Sequence, residues 1–336
     1  MAELAQNRRL IILVLAIVTP GIPEYLTGSS NFSEIVFSTP SFFVALFLDI
    51  GMYTAGALLI REFSVRFRKG WISILLLGCA YGIMEEGIAV HSFFLSSTHS
   101  VASTMAVYGR FAGTDWSLVL GIDLFHSIFS IALPLLLLKL AYPEISGKSL
   151  LGKRGLLLTL IVYMGDVALV NFSQISVTGS APTPGEYVLF IAAAIVLVMI
   201  AYILPSGFGM PKGIGSDWPA GRFYTLGIIV FPLYIVYAFL IPNLPGSLIP
   251  PFADDILYAG SYLLLLAVLI RHLPVHGNEL LIKNFALGLV IGLLLLSAFE
   301  QIFLVSPLII VPMIIAIYMM IRLNRSVKER WKPDII

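Results

Sequence analysis

Charge is scarce in this chain. Of its 336 residues, 12% are Asp, Glu, Lys or Arg, where a soluble domain carries about 25%. Cysteine is almost missing. The single Cys79 excludes an intrachain disulfide and a cysteine-based metal cluster, and its apolar surroundings make it a small core residue. An excess of either charge sign is absent too: 20 Lys and Arg against 19 Asp and Glu leave a net charge of +1. No basic surface therefore points to nucleic acid. No polar stretch is long enough to fold as a soluble domain, and there is no low-complexity tract. What the chain has instead is apolar length. It is 59% hydrophobic, with a mean hydropathy of +0.97. Such a chain reads as a polytopic membrane protein whose first partner is the lipid bilayer.

A membrane span needs about 20 mostly apolar residues. That ruler gives ten expected spans in one all-α transmembrane bundle, 1–336: 9–26, 42–60, 71–95, 116–138, 155–172, 186–204, 222–241, 254–270, 284–304 and 307–322. Only Val305-Ser306-Pro307 separates the last two, so these either cross fully or form a re-entrant hairpin. Arg8 and Arg9 before Leu10–Val18 imitate a secretory signal, but Thr19-Pro20-Gly21-Ile22-Pro23-Glu24 follows in place of a small-residue cleavage site. This segment reads as a retained first span. Charge gives a separate check, because short cytoplasmic loops collect Lys and Arg. With the N-terminus inside, nineteen of the twenty basic residues fall on the cytoplasmic side, and Arg110 alone falls outside. Both termini are expected in the cytoplasm, with the chain in the cell's cytoplasmic membrane.

The costly residues then gain a depth. An ionisable group inside a bilayer costs about 2.5–3.5 kcal/mol on insertion scales and is a functional candidate by default. Glu85 and Glu86 lie about 21–23 Å along the third span, and Asp123 and His126 about 10–15 Å down the fourth. His91 lies further out on the third. Glu24, Asp49, Asp166, Asn171 and Glu300 are expected in the middle or outer half of spans 1, 2, 5, 5 and 9. Asp123 and His126, three apart, share a helix face that Ser127 and Ser130 continue. Glu85 and Glu86 are 100° apart on an α-helix, so one is free to face a cavity while the other meets a neighbouring helix. Glu24 and Asp49 also read as hydrated interfacial carboxylates, and Arg61-Glu62 as an interfacial ion pair. Gly78-x-x-x-Gly82 reads as a point of close helix approach.

Several stretches carry a resemblance. These are Pro23-Glu24-Tyr25-Leu26-x-Gly28, Gly56-Ala57-Leu58-Leu59-Ile60-Arg61-Glu62, the run from Gly70-Trp71 to Glu85-Glu86-Gly87, and His126-Ser127-x-Phe129-Ser130. Over about the first 140 residues the chain resembles an uncharacterised family of bacterial and archaeal multi-spanning membrane proteins. That likeness implies a fold and no activity. Glu85-Glu86 and His126 also resemble the E-E-x-x-x-R and F-x-x-x-H helices of CAAX-protease-like intramembrane enzymes. In those, a glutamate and histidines activate water. Here Val90 replaces the arginine, Ile122 replaces the phenylalanine, and the third motif is missing.

Three functions remain open on these residues. The first is binding or transport of a proton, cation or small polar substrate through an acidic outer-half cavity. It uses Glu85, Glu86, His91, Asp123, His126, Glu24, Asp49, Asp166, Asn171 and Glu300. The second is an intramembrane hydrolase, metal-dependent or not, with Glu85, Glu86 and His126 as its catalytic set. The third is a non-catalytic scaffold. No cofactor is named by the sequence, and neither the presence of a metal nor the oligomeric state is readable from it.

Overall fold

The computed structural model describes residues 2–27, 29–30, 37–38, 42–43, 45–94, 108–209, 218–242, 244, 249–272, 279–304 and 310–330. The protein is an all-α bundle, 82% helical. Its helices are α1 (Ala2–Pro20), α2 (Tyr53–Arg66), α3 (Trp71–Gly82), α4 (Trp116–Phe125), α5 (Leu133–Ala141), α6 (Lys153–Thr178), α7 (Pro184–Ile203), α8 (Ala220–Ile235), α9 (Pro251–His272), α10 (Glu279–Leu304) and α11 (Ile310–Arg330). Helix occupies each of the ten segments expected from the sequence. Among the described residues seven helices are long and apolar enough to cross a membrane: Trp71–Ala89, Trp116–Ala141, Lys153–Thr178, Pro184–Ile203, Ala220–Ala238, Pro251–His272 and Ile310–Arg330. The link Val305-Ser306-Pro307 lies outside the described residues.

Among the described residues five stretches widen into π-helix: Gly21–Tyr25, Ala45–Met52, Ile83–Ala89, His126–Ala132 and Val236–Leu240. π-Helix makes up well under 1% of residues in globular proteins and gathers at functional sites. A reason is visible at His126–Ala132. Pro134 has no N–H to give the Ser130 carbonyl four residues back, so the hydrogen-bond register is interrupted there. Pro20 and Pro23 do the same around Gly21–Tyr25.

Among the described residues two large apolar clusters build most of the core, with a small third one around Phe223, Leu269 and Leu281. One gathers α1, α2, α3, α6 and α7 around Tyr53, Phe93 and Phe190. The other gathers α8, α9 and α10 around Phe129, Phe231 and Leu293. The segment Trp116–Ala141 feeds both, through Ile131 and Leu135 on one side and Leu118 and Phe129 on the other. It and Trp71–Ala89 are 67% and 61% buried, while the remaining candidate spans reach 28% at most. These two are the central helices, and the others present aliphatic side chains outward, as Leu157, Leu158, Val188 and Leu263 do. Glycine sets how close the centre can pack. A Cβ on Gly78 would sit 2.7 Å from Ser127 Cα, and one on Gly227 would sit 2.3 Å from the Phe285 carbonyl oxygen. The Gly78-x-x-x-Gly82 face is thus a close-approach surface.

Candidate functional site

Four of the five π-helical stretches each carry candidate site residues. Gly21–Tyr25 brings Glu24, Ala45–Met52 brings Asp49, Ile83–Ala89 brings Glu85 and Glu86, and His126–Ala132 brings His126. His126 is the hub. Its Nε2 lies 3.0 Å from Glu86 Oε1, and its Nδ1 lies 2.9 Å from Ser130 Oγ. Glu85 Oε2 is 3.2 Å from the same Nδ1 but off the line of a hydrogen bond, and it finds no donor among the described residues. The Ser92 hydroxyl donates to Glu86 Oε2. The side chains of Glu85, Glu86 and His126 are 3%, 15% and 4% exposed, so water screens them little.

Both glutamates therefore meet His126, which corrects the expectation that they would face different ways. That expectation used α-helical periodicity. In the wider π turn, neighbouring residues are separated by a smaller angle, and the pair points at one partner.

Tyrosines enclose the pair. The rings of Tyr53 and Tyr81 lie 6.2 and 6.0 Å from the His126 ring. The Tyr53 hydroxyl donates to Glu24 Oε1, and Ser30 Oγ donates to Glu24 Oε2 at 2.8 Å. Glu24 is close enough to act electrostatically on His126 and Glu86. Tyr25 donates to Asp49 Oδ2 at 2.6 Å, and Asp49 is 2% exposed. Glu24 and Asp49 are thus tied to tyrosines within the bundle, and the buried Asp49 is not the hydrated carboxylate expected. Asp123 lies against the Gly82 gap, where a Cβ would be 2.8 Å from Asp123 Oδ1 and 3.2 Å from His126 Cβ. Its Oδ1 has no donor among the described residues.

Other candidates fall elsewhere. His91 follows the Ile83–Ala89 turn with φ +66° and is 3% exposed. Asn171 Nδ2 is 2.9 Å from its Nε2, donates to the Ile88 carbonyl at 2.5 Å and lies 2.8 Å from the Tyr187 hydroxyl. His91 and Asn171 therefore pair with each other, apart from the His126 group. Asp166 nests against Gly51, where a Cβ would sit 2.3 Å from Asp166 Oδ2. Glu300 lies on α10, but its side chain lies outside the described residues. Arg61 and Glu62 are 6% and 0% exposed and belong to a buried structural network, not an interfacial pair.

Sequence reasoning gave no site role to Tyr53, Tyr81 or Ser92. The signal for Tyr53 was its place four residues after Asp49, and for Tyr81 four before Glu85, one helical turn in each case. The donor set is suited to a small cation. One ligand-type atom from each of Glu85, Glu86 and His126 lies within 4.8 Å of the others. Two carboxylates and an imidazole fit a proton or a divalent metal of the zinc or manganese kind. The chain matches no protein-family model, no curated protein and no solved structure.

Proposed function

We propose that this chain is an integral membrane protein that binds a proton or a small inorganic cation at Glu85, Glu86 and His126 and passes it across the bilayer. Glu24 and Asp123 flank that position. The observation that carries the reading is the convergence of Glu85 and Glu86, with Glu24 behind them, on one histidine, with more negative than positive groups around it. If all ionised, Glu24, Glu85 and Glu86 outnumber a protonated His126 by two charges, and no Lys or Arg pairs with them among the described residues. Such an imbalance in a low-dielectric bundle requires protons or a bound cation. In this reading the cytoplasmic membrane holds the chain with both termini inside, and the acids open toward the outer half.

The test is flux in proteoliposomes loaded with a pH-sensitive or metal-sensitive dye. The wild-type protein should carry ions down an imposed gradient, and Glu85→Gln with Glu86→Gln should lower the rate at least about tenfold. Flux unchanged in that double variant overturns the site assignment. A second reading is favoured by one feature, the 3.0 Å contact of Glu86 with His126. It is the base-and-orienter geometry that a hydrolase uses to activate water, and it agrees with the CAAX-protease-like resemblance. Cleavage of membrane-bound peptides by purified protein, lost in Glu86→Gln, would select that reading over transport.

A further inference from the structure

Away from His126, at the start of the Trp116 helix, the bundle holds a cleft that no function above uses. Tyr108, Ser117, Tyr237, Asp254, Asp255 and Tyr258 line it. Its enclosed end has room for a group the size of one water molecule or one ammonium head, and the cleft opens outward beyond that. Asp254 is 2% exposed, and its Oδ1 has no hydrogen-bond donor among the described residues. A buried carboxylate oxygen without a donor is costly, because desolvation is uncompensated. The position in the first turn of α9 favours an anion there. Asp255 adds a second carboxylate at the next position, and no lysine or arginine is among the described residues lining the cleft.

The tyrosines have their hydroxyls committed elsewhere. Tyr108 donates to the Ile249 carbonyl at 2.7 Å, Tyr258 reaches the Gly121 carbonyl at 3.4 Å, and Tyr237 meets Ser261 Oγ at 3.3 Å. What remains for a ligand is ring surface. The rings of Tyr237 and Tyr258 lie 5.4 Å apart. Burial, with Asp254 and Asp255 nearby, pushes the Tyr108 phenol up to about 12, so it stays neutral beside the two acids.

We infer that this cleft is a binding site for the head of a primary alkylammonium ion, separate from the Glu85–Glu86–His126 position. The ammonium donates to Asp254 Oδ1 and faces Asp255. The tyrosine rings attract the charge through their π faces. The carbon tail leaves by the open side. A hydrated metal ion is a poorer match, because beyond Asp254, Asp255 and the Ser117 hydroxyl the lining offers ring faces in place of the oxygen ligands such an ion needs. A bulky quaternary head does not enter the enclosed end.

The experiment is calorimetric titration of methylammonium chloride into the full chain in detergent, in amine-free potassium phosphate, with tetramethylammonium as the size control. Saturable methylammonium binding is expected, with tetramethylammonium at least about tenfold weaker. Asp254→Asn with Asp255→Asn should weaken binding roughly ten- to hundredfold, since hydrogen bonds to a charged partner are lost. Tyr258→Leu should weaken it roughly three- to tenfold. Monodispersity and the unfolding midpoint check folding. If the double variant does not fold, Asp255→Asn alone and Tyr237→Leu at the rim provide the same test, each with an expected loss of several-fold. Absence of saturable binding to the wild type, full affinity in the folded aspartate variants, or equal affinity for tetramethylammonium would each overturn the inference.

Discussion

Two of the buried charged groups in the bundle, around Glu62 and around His126, are built on opposite rules. Around Glu62 every charge is answered. Arg61 Nη1 reaches Glu62 Oε1 at 3.1 Å, Arg66 Nη2 reaches Oε2 at 3.1 Å, and the Leu150 N–H donates to Oε1 at 2.7 Å. Arg61 Nη2 also donates to the Ile145 and Lys148 carbonyls, so the group clamps the 145–151 connection onto α2. Around His126 the carboxylates outnumber the cation, and Glu85 Oε2 and Asp123 Oδ1 lack donors among the described residues. The first is a closed hydrogen-bond network that fixes a loop. The second leaves carboxylate oxygens without donors among the described residues. The backbone follows the same division: Glu62 sits in regular α-helix, while Glu85, Glu86 and His126 sit on π turns. A fully satisfied buried network stabilises one arrangement, whereas an unsatisfied one costs stability and is retained where function uses it.

The largest effect expected from this contrast is at Glu62. Glu62→Ala leaves Arg61 buried without its partner and should destabilise the fold by about 3–5 kcal/mol, read as a sharp fall of the thermal unfolding midpoint in detergent. A midpoint near wild type would erase the contrast from the structural side. Glu86→Gln should do the reverse. It should leave the midpoint close to wild type or raise it, while proton or cation response falls at least about tenfold. Loss of folding without a separable loss of response would place the His126 group with Glu62 as architecture.

Asn171→Ala sharpens the comparison at an intermediate case. His91 and the Ile88 carbonyl would lose their shared donor, at a cost of about 1–3 kcal/mol, with ion response at Glu86 retained. An equal loss of response would join His91 to the His126 site. The smallest effect is at Asp115, in the connection before α4. Burial pushes its carboxyl up to about 6, against the Leu118 N–H and Arg110, which pull it down. An unfolded aspartate titrates near 3.9. The folded state thus holds this proton more tightly, and the stability it contributes is complete below about pH 4 and lost as pH rises through about 6. Asp115→Asn keeps a residue able to cap α4 and should flatten that part of the stability-against-pH curve.

Much of this architecture is written locally. Apolar length placed helix on all ten expected segments, and scarcity of charge made each acid within an apolar segment conspicuous. The sequence also put Asp123 with His126 and named Gly78 and Gly82 as a packing face, because spacing along a regular helix is enough for both. It was silent or misleading where the helices stop being regular. Glu85 and Glu86 converge on His126 only because Ile83–Ala89 is a π turn, which no periodicity rule at 100° per residue contains. Glu24 joins the group through Tyr53, a partner 29 residues away. Asp254 and Asp255, which the sequence did not separate from an ordinary helix start, became a cleft only when α9 was laid against α4.

The sequence by itself thus determined the class of molecule, the position of its helices and the short list of costly residues. These follow from transfer energies and chain geometry that act residue by residue. The tertiary structure decided which of those residues share a partner. It closed one charged group around Glu62 and left the other open around His126, because satisfaction of a buried charge depends on donors from distant helices.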